Sequence, residues 1–319
     1  MHQPIRVLVI GSLNMDLVTD TERAPQVGET VMGSDFRQLP GGKGANQAVA
    51  AARLGAEVTM IGAVGNDDLG EQLIRTMKQE GIKTNAIRRV ADRPSGIAQI
   101  TLAQGDNRII VVPGANLACT SEWVDQHQRL FQQADIVVLQ LEVPLNTVVR
   151  AVELANQYNV PVVLNPAPAQ ALPTELYHQI AYLTPNETEL AYLIRSLRAQ
   201  EGLDEDAVIQ EKEGFALLLE QKVPHLLMTV GAEGVFYASQ ANPKLQHHPA
   251  FPVAVVDTTG AGDAFNGAFA VAIAEGMSME KSIHFASAAA ALKVQKLGAQ
   301  AGMPTREQVE AFLEQHDYS

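Results

Sequence analysis

"IRVLVIGSLNMD" (residues 5–16) opens with an apolar run, reaches a glycine, and then places Asn14 and Asp16 just beyond it. The run is continuous rather than alternating, which marks a strand covered on both faces, as in a parallel sheet. Polar residues immediately after such a strand sit where open α/β sheets bind ligands.

The same grammar repeats along the chain. "AEVTMIGAVG" (56–65), "ADIVVLQLE" (134–142), "VPVVLNP" (160–166) and "HLLMTVG" (225–231) read as further buried strands. Between them "ANQAVAAARLG", "LGEQLIRTMKQEGI", "LNTVVRAVELANQYN" and "ETELAYLIRSL" read as helices, several ending in Gly or Asn, which suits a left-handed cap. The alternation predicts an α/β fold, a three-layer α/β/α sandwich with a mainly parallel central sheet. Residues 14–40 and 94–113 break the rhythm: they read as strand pairs around turn residues such as "QGDN", and together could form a small β-sheet lid over a cleft. The acidic stretch 201–214 reads as a solvated helix with its approach loop. No linker divides the chain, so residues 1–319 are expected to form one domain with the lid inserted in it.

Bulk numbers exclude several classes. A net charge of −13 and the absence of a basic run argue against nucleic acid. No run approaches 18 apolar residues, so no membrane span is expected. The single cysteine, Cys119, rules out an intrachain disulfide and fits a cytoplasmic location. Cys119 and Trp123 read as packing residues, and the adjacent His247 and His248 lack neighbours that would make a metal site. No P-loop is present, because Gly44 follows Lys43 where a hydroxyl is required; no G-x-G-x-x-G follows the first strand.

"DTTGAGDAF" (257–265) carries the chemistry. Backbone N–H groups of Gly260, Ala261 and Gly262 at a helix start would steady charge on a transferring phosphoryl group. Asp263 in the same turn could accept the proton of an attacking hydroxyl, or could simply cap the helix. "GGKGANQA" (41–48) offers Gly42, Lys43 and Asn46 at a second helix start, with further backbone donors. Asn14, Asp16 and Glu142, the last ending a strand, suit a polyol, since an amide both donates and accepts while carboxylates accept from hydroxyls. "TPNETE" (184–189) places Asn186 and Glu189 where they could orient phosphates or hold hydrated Mg²⁺, or form a helix cap. "TVGAEG" (229–234) is a permissive strand-end loop with Thr229, Gly231 and Gly234.

"GGKGANQA" and "DTTGAGDAFNGAF", with "GSLNMD", "VGETV", "VVPGAN", "NPAPA", "TPNETE" and "KLGAQ", resemble the ribokinase/PfkB family of carbohydrate kinases over nearly the whole chain. The resemblance implies transfer of the ATP γ-phosphate to the 5-hydroxyl of D-ribose, with Mg²⁺ required and K⁺ as activator. It implies a homodimer through the lids. By motif, Asn14, Asp16, Gly42, Lys43, Asn46 and Glu142 would hold ribose, with Ala98 and Ile100 of the lid closing over it. Asp263 would be the base, and the Gly260–Asp263 backbone the anion hole. Asn186, Thr229, Gly231, Glu233, Gly234, Gly262 and Ser287 would line the nucleotide site, with Glu189 reaching Mg²⁺ through water. Asp257, Thr259, Lys293, Lys296, Gly298 and Gly302 match the K⁺ region.

Three positions depart from the family pattern. Ser287 stands where histidine or asparagine is frequent, Lys293 takes a usually small position, and Gly302 replaces a frequent serine. Another pentose or a nucleoside as acceptor remains an alternative, as does a non-catalytic sugar sensor of the same fold.

Overall fold

The computed structural model describes residues 4–104, 106–200, 202 and 211–316. In chain order its elements begin β1 (Arg6–Ile10), β2 (Asn14–Thr21), β3 (Gly33–Gly41), α1 (Lys43–Arg53), β4 (Glu57–Gly65), α2 (Asp68–Gln79) and β5 (Lys83–Val90). There follow β6 (Gly96–Ala103), β7 (Asp106–Val112), α3 (Ser121–Asp125), α4 (Gln128–Gln133), β8 (Ile136–Leu139), α5 (Leu145–Gln157) and β9 (Val162–Leu164). Then come α6 (Thr174–Tyr177), β10 (Tyr182–Leu183), α7 (Glu187–Gln200), α8 (Glu211–Glu220), β11 (His225–Val230), β12 (Gly234–Ser239) and β13 (Gln246–His248). The chain closes with α9 (Ala261–Ala274), α10 (Met279–Val294), α11 (Ala299–Gly302) and α12 (Arg306–His316).

Among the described residues the central sheet runs β13-β12-β11-β10-β9-β8-β1-β4-β5. Its pairs from β11 to β5 are parallel, and β12 and β13 add an antiparallel edge. Strand alternation sends neighbouring side chains to opposite faces. Val7, Val9, Met60 and Val138 join one core with α1, α2, α9 and α10. Leu8, Ile10, Ile61 and Leu139 join the other, with α5, α7 and α8. The three-layer sandwich thus follows from the unbroken apolar strands: each residue buries its side chain, whichever way it points. Gly55, Gly81 and Asn159, all with positive φ, end α1, α2 and α5 as expected.

The two segments outside this rhythm form a separate sheet, β3-β2-β6-β7. β2 and β6 pair in parallel and the outer pairs are antiparallel. Most of the 201–214 stretch lies outside the described residues; α8 begins at Glu211. The strand expected over 134–142 is shorter, ending at Leu139, so Glu142 stands in the bend beyond it rather than on the strand. Among the described residues no helix is long and apolar enough to cross a membrane. Cys119 is fully buried, and burial pushes its thiol up to about 12.

Candidate functional site

Helix α9 positions Asp263. Gly260 adopts φ +78°, a left-handed conformation that glycine tolerates, and turns the chain into the helix. Asp263 lies in the first turn, 7% exposed. Its Oδ2 accepts from Asn46 Nδ2 at 2.9 Å and its Oδ1 from Gln47 Nε2 at 3.0 Å. These amides are themselves held: Gln300 Nε2 donates to Asn46 Oδ1 at 3.1 Å, and Gln140 Nε2 to Gln47 Oε1 at 2.6 Å. Asn266, one turn on, accepts from Thr184 Oγ1 at 2.5 Å and donates to Gly262 O at 2.8 Å, tying α9 to the sheet end.

The N–H of Ala261 donates to Thr258 O at 3.0 Å, which corrects the expectation that it is free for a ligand. Among the described residues, the donors left without an acceptor at this turn are those of Gly260, Gly262 and Asp263. A Cβ on Gly262 would meet nothing within 4 Å, so the turn faces open space there.

Helix α1 offers fewer free backbone donors than its glycines suggested. Its first donors are already satisfied: Lys43 N–H by Glu142 Oε2 at 3.1 Å, Gly44 N–H by Ser12 Oγ at 3.3 Å, and Ala45 N–H by Ser12 O at 2.9 Å. Glu142, 99 residues away in sequence, thus places its carboxylate at the positive end of α1. Gly42 and Gly44 serve close packing rather than exposing further backbone donors. A Cβ on Gly44 would lie 2.6 Å from Ser12 N, and one on Gly42, at φ +90°, 2.7 Å from Asn14 N.

The opposite wall is built from the second sheet. Asp16 pairs with Ala98 and Val18 with Ile100, so Asn14, Asp16, Ala98 and Ile100 share one sheet face. Asn14 Oδ1 accepts from Asn116 Nδ2 at 2.7 Å, and Asn14 Nδ2 donates to Glu142 Oε2 at 3.4 Å. Ser12 Oγ donates to the same carboxylate oxygen at 2.5 Å. Burial, with the nearby charges of Glu142 and Asp263, raises the Asp16 carboxyl to about 7. Burial disfavours the Lys43 ammonium, but the carboxylates of Asp263, Glu142 and Glu189 outweigh it and hold its pKa above the ordinary value. Lys43 is therefore the charge at which these acidic groups converge.

Asn186 and Thr229 are bridged as neighbouring strand ends, and Thr229 N donates to Pro185 O at 3.0 Å. Asn186 and Glu189 form the reciprocal cap: Asn186 Oδ1 accepts from Glu189 N at 2.8 Å, and Glu189 Oε2 from Asn186 N at 2.9 Å. Gly231 and Glu233 stand exposed on the turn after β11; Gly234 has φ +102°, and a Cβ there would lie 2.1 Å from His248 O, so both conformation and space call for glycine. Ser287 is half-buried on α10.

The loop before α9 is tied to the end of α10. Asp257 Oδ1 accepts from Thr259 N at 2.9 Å and Oδ2 from Gly298 N at 2.8 Å. Lys293 is fully buried, and its Nζ donates to Asp257 O at 2.7 Å and lies 3.7 Å from Asp257 Oδ2. Burial alone would raise the Asp257 carboxyl; hydrogen bonds from Thr259 and Gly298 and the Lys293 charge bring it below its ordinary range. Lys296 is exposed, its N–H on Lys293 O at 3.0 Å. A lysine ammonium here stands against the main-chain and carboxylate oxygens that were expected to hold K⁺, so the residues present do not fit that ion.

Ser12, Gln47, Asn116, Gln140 and Gln300 are site residues that the sequence reading missed. Gln47 carried a signal, standing next to Asn46 at the start of a helix.

Residues 5–306 match the model of the pfkB family carbohydrate kinases. The chain belongs to that family. It is 44% identical over 307 residues to the ribokinase of Bacillus subtilis (strain 168), covering 96% of this chain and 99% of that one. It is 35% identical over 309 residues to the deoxyribokinase of Salmonella typhimurium (strain LT2), covering 96% and 98%. The structure of Arabidopsis thaliana ribokinase complexed with ribose and ATP superposes with a TM-score of 0.88 at 35% identity, covering 98% and 99% of the two chains. As a pfkB sugar kinase, this chain has the expected fold and class of activity.

Proposed function

We propose that this enzyme transfers the γ-phosphate of ATP to the 5-hydroxyl of D-ribose, giving D-ribose 5-phosphate and ADP. The observation that carries the reading is Asp263: a buried carboxylate at the head of α9, oriented by Asn46 and Gln47, beside spare backbone donors. In this reading Asn14, Asp16, Glu142, Lys43 and the second N–H of Asn46 bind the sugar hydroxyls, with the Gly42 backbone alongside. The 5-oxygen attacks the γ-phosphorus, its proton passes to Asp263, and the bond to the β-phosphate oxygen breaks to release ADP. The N–H groups of Gly260, Gly262 and Asp263 steady the charge on the transferring group.

Asn186, Thr229, Gly231, Glu233, Gly234 and Ser287 border the nucleotide. Mg²⁺ fits the groups present: it keeps most of its waters and needs little from the protein, and Glu189, whose two oxygens already accept from Asn186, would reach it through a water. When bound, the ion neutralises charge on the β- and γ-phosphates. K⁺ has no part in this reading.

The second sheet acts as a lid within a single kinase domain, closing Ala98 and Ile100 over the sugar to exclude water. A homodimer through the lids is supported by β7, where Ile109, Ile110, Val111 and Val112 are 44–64% exposed on an edge strand. A cytoplasmic setting fits the one buried thiol.

A coupled ADP-release assay across ribose, 2-deoxyribose, other pentoses and nucleosides tests the proposal. Highest kcat/KM on ribose supports it. A preference for 2-deoxyribose favours the second reading, motivated by the deoxyribokinase relative.

A further inference from the structure

Lys293 and Gly302, two of the three departures from the family pattern, lie side by side. A Cβ on Gly302 would lie 3.1 Å from Lys293 Cε and 3.3 Å from Lys293 O, so a serine there would crowd the buried lysine stem. The small residue at 302 makes room for the long one at 293.

The lysine spans from the last turn of α10 to the loop that begins α9. Its head meets Asp257 O and the Asp257 carboxylate, whose two oxygens also take the N–H groups of Thr259 and Gly298. Val256 and Asp257 donate to Val294 O at 2.7 and 3.0 Å, closing the other side of the loop. Three residues beyond Asp257 the chain makes the left-handed turn at Gly260, and among the described residues the N–H groups of Gly260, Gly262 and Asp263 meet no acceptor. Whatever charge sits between Asp257 and the end of α10 therefore fixes the turn on which phosphoryl stabilisation depends. An ammonium and a K⁺ ion approach oxygens to similar distances, and the partly buried Asp257 carboxylate with its own carbonyl favours a cation of either kind beside it.

We propose that the Lys293 ammonium serves as a built-in cation for the 257–260 loop, so that turnover does not depend on a monovalent metal ion. Lys293 is a positioning residue, since it acts through the loop and touches neither sugar nor phosphate. The proposal rests on the sugar-kinase reading only for its activity assay.

The test compares the unmodified chain in K⁺, Na⁺ and tetramethylammonium chloride at equal ionic strength, by ADP release on ribose and by thermal melting. Turnover and Tm are expected to agree across the salts, the K⁺ effect on turnover staying below about twofold, against the ~5–150-fold of a coupled effector. Lys293→Ala is expected to lose about 10²-fold in turnover without K⁺. K⁺ should restore at least about fivefold of that loss and raise the Tm of this variant alone.

Stimulation of the unmodified chain by K⁺ overturns the proposal. So does a Lys293→Ala variant that is fully active without K⁺, or one whose loss K⁺ does not relieve. If Lys293→Ala fails to fold, the salt series on the unmodified chain decides. Absence of ADP release in every salt contradicts the kinase reading instead, and the melting comparison still judges the cation.

Discussion

Gln47 on α1 and Asp263 on α9 are 216 residues apart in sequence and joined at 3.0 Å, so the spacing of the two helices sets where the carboxylate points. That spacing is held by Gly267, one turn below Asp263. A Cβ there would lie 2.6 Å from Ala50 Cβ and 2.7 Å from Gln47 O. In most helix interiors Gly→Ala gains up to about 1 kcal/mol. Here it drives side chain into backbone and costs ~1–3 kcal/mol by overpacking. Gly267→Ala is expected to lower both Tm and kcat, the second because Asn46 and Gln47 move away from Asp263. Thermal melting and steady-state kinetics check both.

Asp16 is expected to make ribose binding pH-dependent. Its carboxyl is raised to about 7, so it is increasingly protonated below that pH, and a neutral carboxyl accepts more weakly from hydroxyls. KM for ribose should rise as pH falls from 8 to 6. Stability moves the other way. The folded chain holds this proton more tightly than the unfolded chain does, so the stabilising contribution is full below the ordinary value of 3.8 and lost as pH rises through about 7. Asp16→Asn should therefore raise the Tm at pH 8 while abolishing ribose binding, measured by melting and calorimetry.

The fold was legible because burial on both faces leaves an unbroken apolar strand, as in Val7–Ile10, and because Gly55, Gly81 and Asn159 punctuate the helices. The second sheet was legible through its turn residues and its departure from the α/β rhythm. The inner site was less so. Glu142 caps α1 and Gln140 supports Gln47 only because β8 lies beside β1, a pairing that no local pattern encodes. The glycines of residues 41–44 suggested free backbone donors, whereas close approach of the 11–14 backbone explains Gly42 and Gly44. Asn46 read as a sugar ligand, yet its amide also spans Asp263 and Gln300, contacts set by α9 and α11.

The exposed strand β7 gives a test of assembly. Ile110, 64% exposed, is expected to be covered in the proposed dimer. Ile110→Glu would place a charge in that apolar contact, which is costly when unpaired. Sedimentation should show a shift from dimer to monomer, and a variant that sediments like the parent chain would remove the lid interface.

The proton acceptor itself is tested most directly by Asp263→Asn, with turnover on ribose measured alongside calorimetry for ribose and ATP. Both ligands should still bind, because the amide preserves size and the Lys43 and Asp16 walls are untouched. Turnover should fall by about 10²–10⁴-fold, the contribution of a general base. Turnover near that of the parent chain, with both ligands bound, would contradict the assignment of Asp263 and the mechanism built on it.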